Sequence, residues 1–202
     1  MDRSYGAPVT PATAAAAPVR LVLLAITLAS LAAFLVAGRA DGAGRSWSAY
    51  LAPATACQGS TDPSASPSVQ QRAIGCLVNW ARAQDERGRL AQPAALRRAA
   101  ALKARDVVSC GQLSHGPCGS DPTRSLRAAG YRYASFGENL FVGPAGEVSA
   151  RDVVSAWLQS PPHRANVLRT VFRDFGTAPI SADGLFGDGN AVVWIATFAS
   201  PR

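Results

Sequence analysis

The sequence is poor in several residue types that often mark a function. Of its 20 basic residues only Lys103 is a lysine, and it has two histidines, one methionine and 7% aromatic residues. It contains no phosphate-binding loop, no dinucleotide-binding glycine pattern and no G-x-S-x-G motif, so nucleotide-dependent enzymes and α/β-hydrolases are not indicated. Arginines do not alternate with aromatic residues, and we therefore expect no nucleic acid partner.

The formal charge of +7 also has little functional meaning, because its sources are scattered. Part of it flanks an uncharged apolar run at residues 21–38, which follows a polar tail at residues 1–20. The run is just long enough to span a bilayer. It is either a cleaved signal peptide or a transmembrane anchor whose N-terminal segment contacts the membrane. Both alternatives predict an extracytoplasmic protein, secreted or anchored by this helix.

The four cysteines agree with export. They allow three connectivities, and proximity favours Cys57–Cys76 and Cys110–Cys118. A zinc site made by Cys110, His115 and Cys118 is the alternative, but no C-x-x-C pair is present, and an oxidising compartment favours disulfides.

Composition predicts a linker rich in Ser, Pro and Ala at residues 39–68 and one folded domain at residues 69–202. Apolar periodicity and capping residues predict helices that end near Gly88, near Gly111, over 122–129 and near Gln159, with a further turn at Ser160. Strands are expected at 177–181 and 191–199, whereas the glycines after residue 136 indicate a loop. Helices that precede strands indicate an α+β fold with a small antiparallel sheet covered by helices.

Three motifs in this order resemble those of the CAP superfamily (cysteine-rich secretory proteins, antigen 5 and pathogenesis-related 1 proteins), in its bacterial SCP-domain form. They are Cys76-Leu77-Val78-Asn79-Trp80-Ala81-Arg82, Gly137-Glu138-Asn139-Leu140, and the string from Trp157 through Ser160-Pro161 and His163-Arg164 to Leu168. The resemblance covers about residues 70–199. It implies an α-β-α sandwich, secretion, and a cleft that carries two histidines and two glutamates.

Only some of the four cleft residues implied by the resemblance are found at the matching positions of this sequence. His115 and Glu138 match the first His and first Glu, Ser160 stands where the eukaryotic pattern has its second Glu, and Val193 falls near the place of its second His. His163 is expected near the same cleft. The ligand-cleft candidates are His115, Glu138, His163, Asn139, Ser160 and Arg164.

Two functions follow from these candidates. The first is a non-enzymatic, monomeric module that binds a small or lipid-like ligand, an envelope component or a partner protein. The second is a metal-dependent hydrolase in which His115, His163 and Glu138 hold a weakly bound zinc ion. A structural role is also open, in which the histidines bond backbone carbonyls and Glu138 accepts a hydrogen bond from one of them.

Overall fold

The computed structural model describes residues 45–185 and 189–202. Five α-helices are α1 (Pro67–Gln84), α2 (Ala94–Cys110), α3 (Arg124–Ala128), α4 (Ala150–Gln159) and α5 (Pro161–Leu168). Three strands are β1 (Tyr133–Pro144), β2 (Asp174–Ser181) and β3 (Ala191–Pro201), and short 3₁₀ helices occupy Trp47–Tyr50 and Pro117–Gly119. The predicted α+β order is confirmed.

The strands form one antiparallel sheet in the order β1-β3-β2. Side chains alternate along β3: Trp194 and Phe198 are buried against α1 and α4, whereas Val193 and Ile195 are buried against α2. The sheet therefore lies between two helical layers. On the α2 side the packing is close, because a Cβ added at Gly176 would lie 2.3 Å from the Leu96 carbonyl carbon.

The first strand is where the sequence-based prediction of a loop is wrong. β1 continues through Gly137 and Gly143 and pairs with β3 as far as Pro144. A Cβ at Gly137 would lie 2.8 Å from both Asn166 Oδ1 and the Phe172 ring. Glycine at this position serves close packing within a strand, and a turn is not formed.

The segment predicted as a linker also belongs in part to the fold. Tyr50, Ala52 and Cys57 are buried in the core formed with α1 and α4, and the Ser60 carbonyl accepts a hydrogen bond of 2.8 Å from the Arg151 amide. The packed structure therefore begins ahead of the boundary at residue 69. Composition alone predicts a linker here, because it does not show that these apolar side chains pack against α1 and α4.

Two disulfides connect Cys57 with Cys76 and Cys110 with Cys118, with Cα–Cα distances of 5.8 and 5.6 Å. This is the connectivity that proximity favours, and it leaves no thiolate for a zinc site with His115, so that alternative is wrong. The predicted tail at 1–20 and apolar run at 21–38 lie outside the described residues. Within residues 45–185 and 189–202, no helix has the length and apolarity needed to cross a membrane.

Candidate functional site

The site is built around a buried carboxylate on the edge strand β1. Glu138 lies opposite Thr197 of β3, and its side chain is only 4% exposed. Strand alternation turns it toward α2, on the same face as Leu140, which packs with the α2 cluster. A carboxylate in such surroundings requires charged or hydrogen-bonding partners.

Lys103 of α2 supplies the first partner. Its side chain is 2% exposed, its Nζ lies 3.7 Å from Glu138 Oε1, and Nζ also donates a hydrogen bond to the carbonyl of His115. One ammonium group therefore neutralises the carboxylate and fixes the backbone of the following loop.

His115 supplies the second partner. Gly111, with φ +65°, ends α2, and the Cys110–Cys118 disulfide spans the loop that carries the histidine. His115 Nδ1 lies 2.9 Å from Glu138 Oε2, while 59% of the imidazole remains exposed. The loop thus presents one edge of the ring to solvent and the other to the buried carboxylate.

The electrostatics of this cluster favour a protonated His115. The hydrogen bond to Glu138 raises the pKa of His115 above its usual value, while burial and the charge of Lys103 oppose that rise. With Lys103 and Glu138 offsetting each other, protonation of His115 gives the cluster a net positive charge.

Asn139 brings α5 to the other face of β1. Its Nδ2 donates to the His163 carbonyl at 3.0 Å, and Asn166 Nδ2 donates to both Glu138 O at 3.1 Å and Asn139 Oδ1 at 2.9 Å. Burial lowers the pKa of His163, and the charge of His115 lowers it further. The two histidines are carried by different elements, His115 by the loop after α2 and His163 by α5.

Ser160 and Arg164 shape the corner between α4 and α5. The Ser160 carbonyl accepts from the Arg164 amide at 2.8 Å, and Arg164 Nη1 donates to the Leu158 carbonyl at 2.6 Å. Neither side chain hydrogen-bonds Glu138 or a histidine among the described residues. Their positions support a structural role at the base of α5.

Three residues of the site were not among the candidates from sequence: Lys103, Asn166 and Thr197. Thr197 is 1% exposed, stands opposite Glu138, and its hydroxyl has no hydrogen-bond partner among the described residues. For Lys103 a clue was present, because it is the single lysine in an arginine-rich chain.

The described residues of this site offer few ligands for a metal ion. Within the described part of the chain, no three His, Cys, Asp or Glu side chains are grouped as metal ligands. Glu138 faces Lys103 and His115, so a metal could be contacted only by the two imidazoles. This donor set is smaller than the three protein ligands of typical catalytic zinc sites.

Comparisons with known proteins agree with this architecture. The profile of the Cysteine-rich secretory protein family (CAP) matches residues 77–198. An uncharacterized protein, YkwD of Bacillus subtilis, is 28% identical over 141 residues, which cover 68% of the chain and 54% of that relative. The chain thus spans about half the length of this relative.

Two solved structures share the fold. An outer surface protein from Borrelia burgdorferi has a TM-score of 0.59 and 17% identity, covering 68% of this chain and 97% of that one. An extracellular SCP-domain protein from Bacillus anthracis has a TM-score of 0.54 and 20% identity, covering 66% of this chain and 41% of that one.

Proposed function

The chain belongs to the cysteine-rich secretory protein (CAP) family, in its bacterial form, and on that basis we propose that it is an extracytoplasmic, non-enzymatic binding module. Its ligand contacts the cleft bordered by His115 and His163. The ligand is an envelope component or other small molecule that carries an anionic or hydrogen-bond-accepting group.

The observation that supports this proposal is that Glu138 is buried and held by two cationic or hydrogen-bonding partners. Its Oε1 faces Lys103 Nζ at 3.7 Å and its Oε2 faces His115 Nδ1 at 2.9 Å, and the side chain is 4% exposed. A general base must reach the proton that it removes and must not already be neutralised by buried partners. Glu138 therefore suits the orientation of His115 better than proton abstraction from a substrate.

The exposed imidazole edge determines the class of ligand. Because Nδ1 of His115 faces the carboxylate, Nε2 is the atom left for a ligand, and in the protonated ring it is a donor. The raised pKa of His115 increases the fraction of protein that offers this donor near neutral pH. Carboxylate and phosphate oxygens are the acceptors that such a donor favours.

An extracytoplasmic location is consistent with the two disulfides and with the extracellular relatives. We propose that the protein is either released or held at the membrane by residues 21–38. A monomeric binding domain is sufficient for this role.

The two histidines are the only ones in the chain, which makes them convenient reporters. We would label their rings with ¹³C in the full chain, kept in mild detergent, and titrate soluble peptidoglycan fragments that carry carboxylates. Binding at the cleft should shift both ring signals, and His115→Ala should abolish the response of His163. Gln159→Ala, an exposed change on α4, is the control that should respond like the wild type.

Fragments that bind without moving either histidine signal would overturn the proposed cleft. The hydrolase alternative is tested in parallel with peptide and ester panels, with and without a chelator. Turnover that is lost in Glu138→Gln and on chelation would contradict a non-enzymatic role.

A further inference from the structure

A cavity lies near the start of β1, apart from the His115–Glu138 cluster. It has a volume of about 350 Å³ and is lined by Arg127, Gly130, Tyr131, Arg132, Tyr133 and Arg202. Tyr133 precedes Glu138 by five residues on the same strand, so about 16 Å of strand separates the two residues. None of the lining residues belongs to the site around His115, Glu138 and His163.

The local fold explains why these side chains meet. Helix α3 ends at Ala128, and Gly130, with φ +71°, turns the chain into β1. The last residue of the sequence, Arg202, lies beside this turn because its amide donates to the Arg132 carbonyl at 3.2 Å. Tyr131 lines one side of the cavity, and a hydrogen bond of 2.6 Å from its hydroxyl to Asp174 Oδ2 holds its side chain in place.

Three of the six lining residues are arginines, and the carboxylates in contact with the lining residues are Asp121 and Asp174. Arg127 is paired with Asp121, with 3.1 Å between Nη2 and Oδ2. Arg132 and Arg202 form no salt bridge with any described residue. Arg98 lies outside the lining and is engaged by the end of α3, where its Nη2 donates to the Ala129 carbonyl at 3.0 Å. Two guanidinium groups are therefore available for an anion.

We propose that this cavity binds the phosphate group of a small phosphorylated polyol. The planar guanidinium fork matches phosphate oxygens and can donate two hydrogen bonds to one group. The rings of Tyr131 and Tyr133 provide apolar surface, and Tyr133 adds a hydroxyl group, which suits a short hydroxylated carbon chain. The volume is at the lower end of that of small-molecule pockets, so the ligand is about the size of glycerol phosphate.

The probe for this site is glycerol 3-phosphate, added to the full chain in mild detergent and followed by calorimetry and by the amide NMR signals of Tyr131 and Tyr133. The wild type should bind it, and neutral glycerol should not bind. Arg132→Gln should weaken binding about fivefold, the range of one partly exposed ion pair, and the double change with Arg202→Gln should abolish it. Both positions are exposed, so folding should be unaffected.

Arg89→Gln is the matched control, because Arg89 is an exposed arginine outside the cavity. Equal weakening by this control would overturn the proposal, since only the overall charge would then matter. Absence of wild-type binding up to ~10 mM, or equal binding of glycerol, would overturn it as well.

A second probe identifies the source of the phosphate. Dihexanoyl phosphatidylglycerol, used as a monomer, is compared in the same detergent-free sample with its deacylated head group, glycerophosphoglycerol. Both are phosphodiesters with one negative charge, and they differ only in the two short acyl chains. Tighter binding than glycerophosphoglycerol, still lost in the double variant, supports the site with a lipid headgroup as its ligand. Equal or weaker binding supports the site with a different ligand, a free or polymeric polyol phosphate that carries no acyl chains. These outcomes do not depend on the histidine cleft.

Discussion

Replacing Lys103 by Met should destabilise the protein strongly and in a pH-dependent way. Methionine retains most of the length of the side chain but removes the ammonium group from a position that is 2% exposed. Glu138, which is 4% exposed, would then remain buried with His115 as its only charged partner among the described residues. Removal of one member of a buried ion pair typically costs about 3–5 kcal/mol.

The size of the loss depends on His115. Its pKa is raised in the folded protein, so the stability that it contributes is complete below about pH 6.5 and is lost as the pH rises through the folded-state pKa. Because Lys103 opposes protonation of His115, its removal raises that pKa further. In Lys103→Met the imidazolium therefore compensates for part of the missing charge at low pH. The ring is more than half exposed, so this compensation is limited to about 1 kcal/mol.

We expect a loss of about 3 kcal/mol in the free energy of unfolding at pH 5.5 and about 4 kcal/mol at pH 8. Equilibrium urea denaturation at both pH values measures it, from the midpoint and the m-value. Arg105→Met is the matched control on an exposed position of α2 and should change stability by no more than about 0.5 kcal/mol.

A double-mutant cycle isolates the ion pair. Glu138→Gln alone leaves Lys103 buried without a carboxylate, whereas the double variant removes both charges. The double change should therefore cost about 2 kcal/mol less than the sum of the single changes. A loss below about 1 kcal/mol in Lys103→Met at both pH values, together with additive single effects, would refute the pairing of these buried charges.

Three further predictions concern the same region. Zinc should bind only weakly, and a variant with both His115→Ala and His163→Ala should show no heat of binding; unchanged binding would place the metal elsewhere. Asn139→Ala should lower stability by about 1–3 kcal/mol, because the His163 carbonyl loses its donor, and a thermal shift measures this. Changing Cys110 and Cys118 to Ser should remove about 2–3 kcal/mol and broaden the His115 ring signal, whereas a sharp, unshifted signal would show that the loop does not need the disulfide.

The elements that were predictable from the sequence are those with strong local patterns. Ile74, Leu77, Val78 and Ala81 follow a helical period, and all four are fully buried in α1. The apolar run at 191–199 lies within β3. In these segments local preference and tertiary packing agree.

The elements that were missed depend on partners that are distant in the sequence. β1 contains glycines that predict a loop, but eleven of its residues pair with β3, which follows about 50 residues later. Segment 47–60 looks like a linker because it is rich in small residues and its few large apolar residues show no period, and it is held by Cys76 and Arg151 from other elements. A single-sequence pattern does not report such pairings.

The burial of Lys103 is a feature of the site that can be inferred from the period of α2. It lies four residues after Ala99 and four before Val107, both fully buried, so the period of α2 places it within the apolar stripe. A lysine at such a position requires a carboxylate or a set of carbonyl acceptors. Glu138 is the acidic residue of the Gly137-Glu138-Asn139-Leu140 motif, and in the structure it lies on the face of the sheet that α2 covers. The helical period and the rule for buried charges therefore require a buried partner for Lys103, whereas the choice of Glu138 as that partner depends on the pairing of β1 with β3, which the local sequence pattern does not predict.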